Sequence, residues 1–286
     1  MLKYAVQLST DEVTERHPVV LRGTIDDCME RASKFGYDGV ELFMHSPEEK
    51  DANHYKELSK KLNLPFTCIC TGMEYGKFGL CLTSDDANIR KAAVEKLKHH
   101  IDFGKEIGAM ICIGTMRGQI PDSSHRQECY KRLHEALIEL NEYAKTKDVQ
   151  LLVEDNPQYV SNFLNTVQEV GEFVRKINLS NVALHLDTHC MAMEDADIIG
   201  GIKEYKDILK YIHYSDSNRG YPGSCKVDFK AITKALLSIG YDGWITSECQ
   251  PYPSQDECAI RGLKYMKAVE EAAKIELLQL KDSLYK

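Results

Sequence analysis

Residues 35–42 read FGYDGVEL and residues 239–246 read IGYDGWIT. In both copies an amphipathic segment runs into a glycine that tolerates a left-handed backbone, a two-residue turn follows, and a β-rich run begins. One helix-to-strand junction is therefore used twice, near the two ends of the chain. Working outward from it, short β-rich runs recur at Tyr4–Leu8, Gly39–Phe43, Pro65–Cys70, Ala109–Gly114, Val149–Glu154, Val182–Asp187, Tyr211–Tyr214 and Trp244–Glu248. Each gap between them is long enough for a helix. Ser124 with Gln127 forms a capping box ahead of the stripe Leu133, Leu137, Leu140 and Ala144; Thr166 with Glu169 forms another ahead of Val167, Val170, Val174 and Ile177. Strand and helix alternating eight times predict an α/β fold, a closed (β/α)8 TIM barrel, in one domain over residues 1–286. A doubly wound open sheet would carry a glycine-rich phosphate loop after an early strand, and none is present. A last helix over about residues 256–283, with Ile260, Leu263, Met266 and Val269 on one stripe, either seals the barrel or meets a second copy.

The composition narrows the function. Of 286 residues 43% are hydrophobic, enough for a large core, and no apolar run approaches the roughly 18 residues of a membrane span. The N-terminus MLKYAVQLSTDE reads as a first strand rather than a leader, so a cytoplasmic protein is expected. A net charge of −8, with both signs mixed along the chain, argues against a nucleic-acid partner. The ten cysteines include no C-x-x-C pair and are expected as reduced, mostly buried thiols; Cys68 and Cys70 alternate along one run. His99 and His100 lie on a helical pattern and are expected at the surface.

Active sites of parallel barrels are built where the strands end. The final four runs end in LLVEDNP, ALHLDTH, YIHYSD and ITSECQ, placing Glu154, Asp187, His213 and Glu248 there at gaps of 33, 26 and 35 residues. Singly, each reads as a cap, a loop residue or a core histidine. Delivered by four consecutive strands to one rim, they read as one centre, because three converging acids without a cation would repel one another. An oxygen-rich set with one imidazole suits Mn²⁺, Mg²⁺ or Co²⁺, with Zn²⁺ also possible.

These segments, with HYSDSNRGYPG, VDF and GYDGWITSE, resemble the sugar phosphate isomerase/epimerase superfamily of xylose isomerase-like barrels, and within it the ketose 3-epimerases of the tagatose and allulose type. The resemblance spans nearly the whole chain, with its specific motifs between residues 150 and 250. It implies one divalent cation, Mn²⁺ above the others, on Glu154, Asp187, His213 and Glu248, and a small-molecule sugar substrate. It implies that Glu154 and Glu248 act as the catalytic pair, removing a proton beside a ketone from one face and returning it to the other while the cation stabilises the enediolate. Arg219 then binds substrate hydroxyls and steadies Glu248, Glu41 lines the sugar pocket, and a homo-oligomer, dimer or tetramer, is expected. Arg117 in IGTMRGQ is a candidate for a substrate hydroxyl or phosphate.

The chain departs from that pattern around the ligands. Val160 stands where several 3-epimerases carry a substrate-contacting acid; Cys190 stands where a histidine is usual, with His189 one residue early, a substrate-binding candidate if a shifted turn still brings it to the sugar, its role being lost otherwise; and SCKVDF keeps Asp228 but has Lys226 in place of a histidine. Three other readings stay open: a lyase that expels a β-hydroxyl, as inosose dehydratases do; a non-catalytic sugar-binding or partner-binding subunit; and a DNA-repair endonuclease of the same fold. The last would need further metal-binding histidines where the third and fourth runs end in TCICTG and ICIGTM.

Overall fold

The computed structural model describes residues 1–284. Eight parallel strands form the barrel: β1 (Lys3–Ser9), β2 (Gly39–Phe43), β3 (Phe66–Cys70), β4 (Met110–Ile113), β5 (Leu151–Glu154), β6 (Val182–Asp187), β7 (Leu209–Tyr214) and β8 (Trp244–Ser247). Each pairs with the next, and β8 closes on β1 with Lys3 opposite Trp244 and Val6 opposite Ser247. The α/β barrel expected from the eight runs is the fold.

The repeated junction behaves as its sequence requires. Gly36 and Gly240 have φ of 87° and 69°, and the next amides, Tyr37 and Tyr241, bond back to the carbonyls of Ala32 and Leu236 five residues earlier. Gly243 is needed for a second reason: a Cβ there would sit 2.3 Å from the carbonyl oxygen of Lys210 on the neighbouring strand.

Alternation along the strands sorts the residues. On β7, Ile212 and Tyr214 join the large apolar layer between barrel and helices, whereas Tyr211 and His213 face the lumen. The lumen below the rim holds Cys68, Cys70, Cys112, Leu152, Ala183 and Tyr211. The Tyr211 hydroxyl ties opposite walls together, at 2.6 Å from both Thr67 and Thr246. Each ligand candidate on β5 to β7 is thus the last inward position of its strand, and Glu248 follows directly on β8.

Some local expectations change. The long helix between β4 and β5 begins at Arg126, and Ser124 is not its cap; Asp122 instead accepts from the Ser124 amide and starts a 3-10 turn over Ser123–His125. Thr166 does cap Val167–Ile177, but the Glu169 carboxylate returns to the Asn165 amide rather than that of Thr166. His100 is buried, not at the surface: it faces inward from Ala87–Ile107 and its Nε2 lies 2.9 Å from buried Glu74, while His99 is exposed. The cysteines are free, and all but Cys225 are buried. The C-terminal helix runs over Gln255–Leu284. Among the described residues no helix is long and apolar enough to cross a membrane.

Candidate active site

At the C-terminal rim, donor atoms of Glu154, Asp187, His213 and Glu248 all lie within 4.8 Å of one another. His213 is the hub. Its Nδ1 lies 3.0 Å from Glu154, 3.3 Å from Glu248 and 4.0 Å from Asp187. Ligand atoms about 2.1 Å from a six-coordinate cation stand ~3.0 Å apart in cis and ~4.2 Å in trans, so these separations are those of a coordination shell.

The protonation of His213 supports the same reading. Its Nε2 faces both oxygens of Glu41 at 3.0 Å, an acceptor that places the ring proton on Nε2. Nδ1 is then the ring atom turned to the carboxylate oxygens, and although buried it makes no hydrogen bond. Those acids favour positive charge at that point, as a proton on the ring or as a cation among the oxygens, and a dication takes the proton's place. With one, a carboxylate holding the far nitrogen is the usual support for a histidine ligand. The residues present therefore fit a hard divalent cation.

Burial and charge divide the carboxylates. Burial, reinforced by the neighbouring Cys70 thiol, pushes Glu41 up to about 8. Burial works in the same direction on Glu248, but His213 and Arg219 outweigh it and hold that carboxyl down at about 2. Burial disfavours charge on His213 too, and Glu41 and Glu248 overcome it, raising the imidazole well above its ordinary value. His185, one inward step below Asp187, is lowered to about 4 by burial and then by His213.

The loop after β7 explains why YIHYSDSNRG turns polar so abruptly. Asp216 is fully buried, and its carboxylate accepts the amides of Ser217, Gly223, Cys225 and Val227 at 2.8–3.1 Å. Arg219 sits inside that frame at φ 59°, its own amide bonded to the Asp216 carbonyl. Its guanidinium reaches Asp187 and Glu248 as well as Ser215 Oγ at 3.1 Å. Asp228, by contrast, caps Phe229–Ser238 by accepting the Ala231 amide, and Lys226 is exposed.

A cavity of about 480 Å³ opens above this centre. Glu154, Asp187, Glu248 and Arg219 line it, together with Phe43, Tyr75, Tyr159 and Val160. A two-residue strand, Leu21–Arg22, pairs in parallel with the end of β1, and Arg16 and His17 of the preceding loop line the cavity.

Three expectations need correction. Arg117 does not reach the cavity: fully buried, it donates to the backbone carbonyls of Glu154, Phe163 and Leu164 and so clamps the β5 loop from below. Glu41 does not line the pocket either; its oxygens are taken by His213 and Gln7. His189 lies behind the wall, with Nε2 2.9 Å from the Tyr159 hydroxyl and Nδ1 3.2 Å from the Asp216 carbonyl, while Cys190 takes the lining place. In each case a strand-end spacing gave the right neighbourhood and the wrong direction of the side chain.

Gln7 escaped the sequence reading. Its Nε2 donates to Glu41 at 2.7 Å and to Glu248 at 2.9 Å, joining two acids on strands either side of β1. The available signal was its place as the one polar residue in the buried run YAVQL.

Comparison with known proteins agrees with this geometry. The L-ribulose 3-epimerase of Methylomonas sp. (strain DH-1) is 29% identical over 224 residues, 76% of this chain and 75% of its own. A probable ketose 3-epimerase of Synechocystis sp. is 26% identical over 262 residues, covering 82% and 88%. The crystal structure of a D-allulose 3-epimerase from Methylomonas sp. with D-allulose superposes at a TM-score of 0.80 and 25% identity, over 93% of this chain and 96% of that one. The family described as the xylose isomerase-like TIM barrel matches residues 29–269, and the chain belongs to it, as an enzyme of the isomerase/epimerase class.

Proposed function

We propose that this enzyme is a divalent-cation-dependent epimerase of a ketose, moving a proton at the carbon beside the ketone in the manner of the ketose 3-epimerases it resembles. The observation that carries the reading is the unpartnered Nδ1 of His213 among three carboxylates. Glu154, Asp187, His213 and Glu248 would hold the cation, with Mn²⁺ favoured by the oxygen-rich donor set. When bound, it supplies Lewis acidity that makes the proton beside the ketone acidic enough for a carboxylate to remove.

Glu154 and Glu248 come from β5 and from the end of β8 and line the cavity together. One takes the proton from one face of the sugar, and the other returns a proton to the opposite face of the carbon left planar. Arg219 holds Glu248 ionised and oriented, and it offers its remaining donors to substrate hydroxyls. The aromatic rings of Phe43, Tyr75 and Tyr159 give the sugar apolar faces to pack on and limit water at the reacting carbon. Val160 withdraws a charged contact, so one end of the substrate is held more weakly or carries fewer hydroxyls.

The test is proton NMR in D₂O of the Mn²⁺-loaded enzyme with free ketoses, ketose phosphates and inososes. Deuterium entering one carbon as its epimer accumulates is the expected result, with Glu154→Gln and Glu248→Gln each losing the epimer. A dehydrated product would move the enzyme to the lyases, and metal binding without exchange on any substrate would remove the catalytic reading.

A further inference from the structure

Beneath the rim the lumen carries donors of a different kind. Cys112 on β4 and His185 on β6 share a group with Glu154 in which a donor atom of each lies within 4.8 Å of the others. Cys112 Sγ is 3.3 Å from His185 Nδ1 and 3.7 Å from Glu154 Oε2, and His185 Nε2 is 3.8 Å from Glu154 Oε1. His185 is fully buried, and its Nε2 has no hydrogen-bond partner. No hydrogen bond at Nε2 therefore fixes the ring, and nothing in the proposed proton transfer uses this histidine. Cys70, on the strand beside Cys112, pairs with it in register, its thiol donating to Glu41 at 3.3 Å.

We propose that Cys112, His185 and Glu154 form a second, softer cation site that takes Zn²⁺ or another thiophilic dication, with Cys70 within reach as a further donor. With Nδ1 as the binding nitrogen the spacing is close: bonds of about 2.3 Å to sulfur and 2.1 Å to nitrogen or oxygen put tetrahedral ligands ~3.4–3.6 Å apart, against 3.3 Å from Cys112 Sγ to His185 Nδ1 and 3.7 Å to Glu154 Oε2. The chemistry fits as well. A thiolate selects Zn²⁺ or Cd²⁺ over the Mn²⁺ or Mg²⁺ suited to the oxygen-rich rim. As the metal–sulfur bond forms, the Cys112 thiol proton leaves to solvent, so the dication meets one thiolate and one carboxylate and the buried site acquires no net charge. Entry is open from the substrate side, because Cys70, Cys112 and Glu154 all line the cavity. Glu154 is shared with the centre proposed above, so calling this site the second rests on that reading. Occupation draws Glu154 away from the substrate and inhibits the enzyme.

The experiment is a Cd²⁺ titration of the full chain in excess Mn²⁺, following thiolate-to-cadmium charge-transfer absorption, with Mn²⁺ paramagnetic resonance read in the same samples. Cys249 and Cys258, whose sulfurs are 3.4 Å apart, are the competing thiol pair, so Cys249→Ser is the control. The expected result is a thiolate-bound cadmium that Cys249→Ser retains and that Cys112→Ser binds at least about a hundredfold more weakly. An undiminished band in folded Cys112→Ser, or its loss in Cys249→Ser, overturns the proposal. Should Cys112→Ser not fold, zinc-edge X-ray absorption on Mn²⁺-saturated Cys249→Ser decides: a sulfur in the first shell supports the site, and a shell of nitrogen and oxygen alone overturns it. Cadmium bound at Cys112 in a protein that fails to bind Mn²⁺ would keep this site and remove the rim centre. Manganese bound without cadmium would do the reverse.

Discussion

The perturbation that most directly tests the rim centre is Glu41→Gln, because Glu41 touches neither the cavity nor any expected substrate atom. It acts through His213, accepting the Nε2 proton at 3.0 Å and so leaving Nδ1 free to face Glu154, Asp187 and Glu248. A glutamine of the same shape can still accept that proton, but it brings no charge and offers an NH₂ group to the Gln7 amide that now donates there. Loss of such a supporting carboxylate weakens metal binding by about 10–100-fold, or ~1.4–2.7 kcal/mol. The assay is Mn²⁺ affinity by paramagnetic resonance, with thermal unfolding in parallel. At a concentration about 100 times the wild-type Kd, Mn²⁺ stabilises the wild type by ~2.7 kcal/mol, and a variant binding about 30-fold more weakly by only ~0.9 kcal/mol. Metal-free stability is expected to stay level or rise, because a buried carboxyl whose ionisation burial already resists has been removed. Equal Mn²⁺ affinity in variant and wild type, or a metal-free Tm that falls as far as the affinity does, would refute the role given to Glu41.

Arg117→Met strands three buried carbonyls, those of Glu154, Phe163 and Leu164, and is expected to cost about 3 kcal/mol, lowering Tm by roughly 6–12 °C. KM of the folded fraction should hold; a raised KM at unchanged Tm would return Arg117 to the substrate. Gln7→Met unties Glu41 from Glu248 without touching the cavity, and steady-state kinetics should show kcat falling about tenfold with KM little changed. The pH dependence of stability isolates Asp195, which burial raises to about 6 although it accepts the Val167 amide. Its folded pKa lies above the unfolded value of about 3.8, so its contribution is fully present below that value and is lost as pH rises through 6. Denaturant unfolding of Asp195→Asn should therefore show a flatter profile between those limits, and an identical profile would remove Asp195 from the account.

The barrel was legible because its strands carry two independent signals, an apolar outward face and a length set by the next turn. Boundaries slipped where only one signal operated. β7 begins at Leu209 rather than Tyr211, since outward Lys210 breaks the apolar run while its backbone stays in the ladder. The strand Leu21–Arg22 was invisible: two residues cannot display a period, and it exists because it pairs in parallel with β1 at Leu8 and Ser9. Ser124 looked like a cap because the pattern of side chains was right, yet Asp122, two residues earlier, has the stronger acceptor and took the amide.

The site shows a sharper division. Period-two alternation fixes which residues face the lumen, so Glu154, Asp187, His213 and Glu248 could be gathered from strand ends alone. It does not say which inward residues touch. Glu41 and His213 are on β2 and β7, 172 residues apart in sequence and five strands apart in chain order, and meet because the closed wall brings them to within three. Gln7 meets both Glu41 and Glu248 because β1 stands between their two strands at the seam. Cys112 on β4 and His185 on β6 meet across the inner face of β5, so the lower layer was present in the sequence as alternating cysteines without any indication of a partner. Loop arginines differ again: Arg117 and Arg219 both follow strands, and what separates them is the left-handed turn at Arg219, framed by Asp216, which lifts that guanidinium over the rim while the other is held below. The proposed rim ligands are therefore a property of single strands, and the groups that orient them are a property of the closed barrel. Changing an orienting group should accordingly alter metal affinity and turnover while leaving the fold intact.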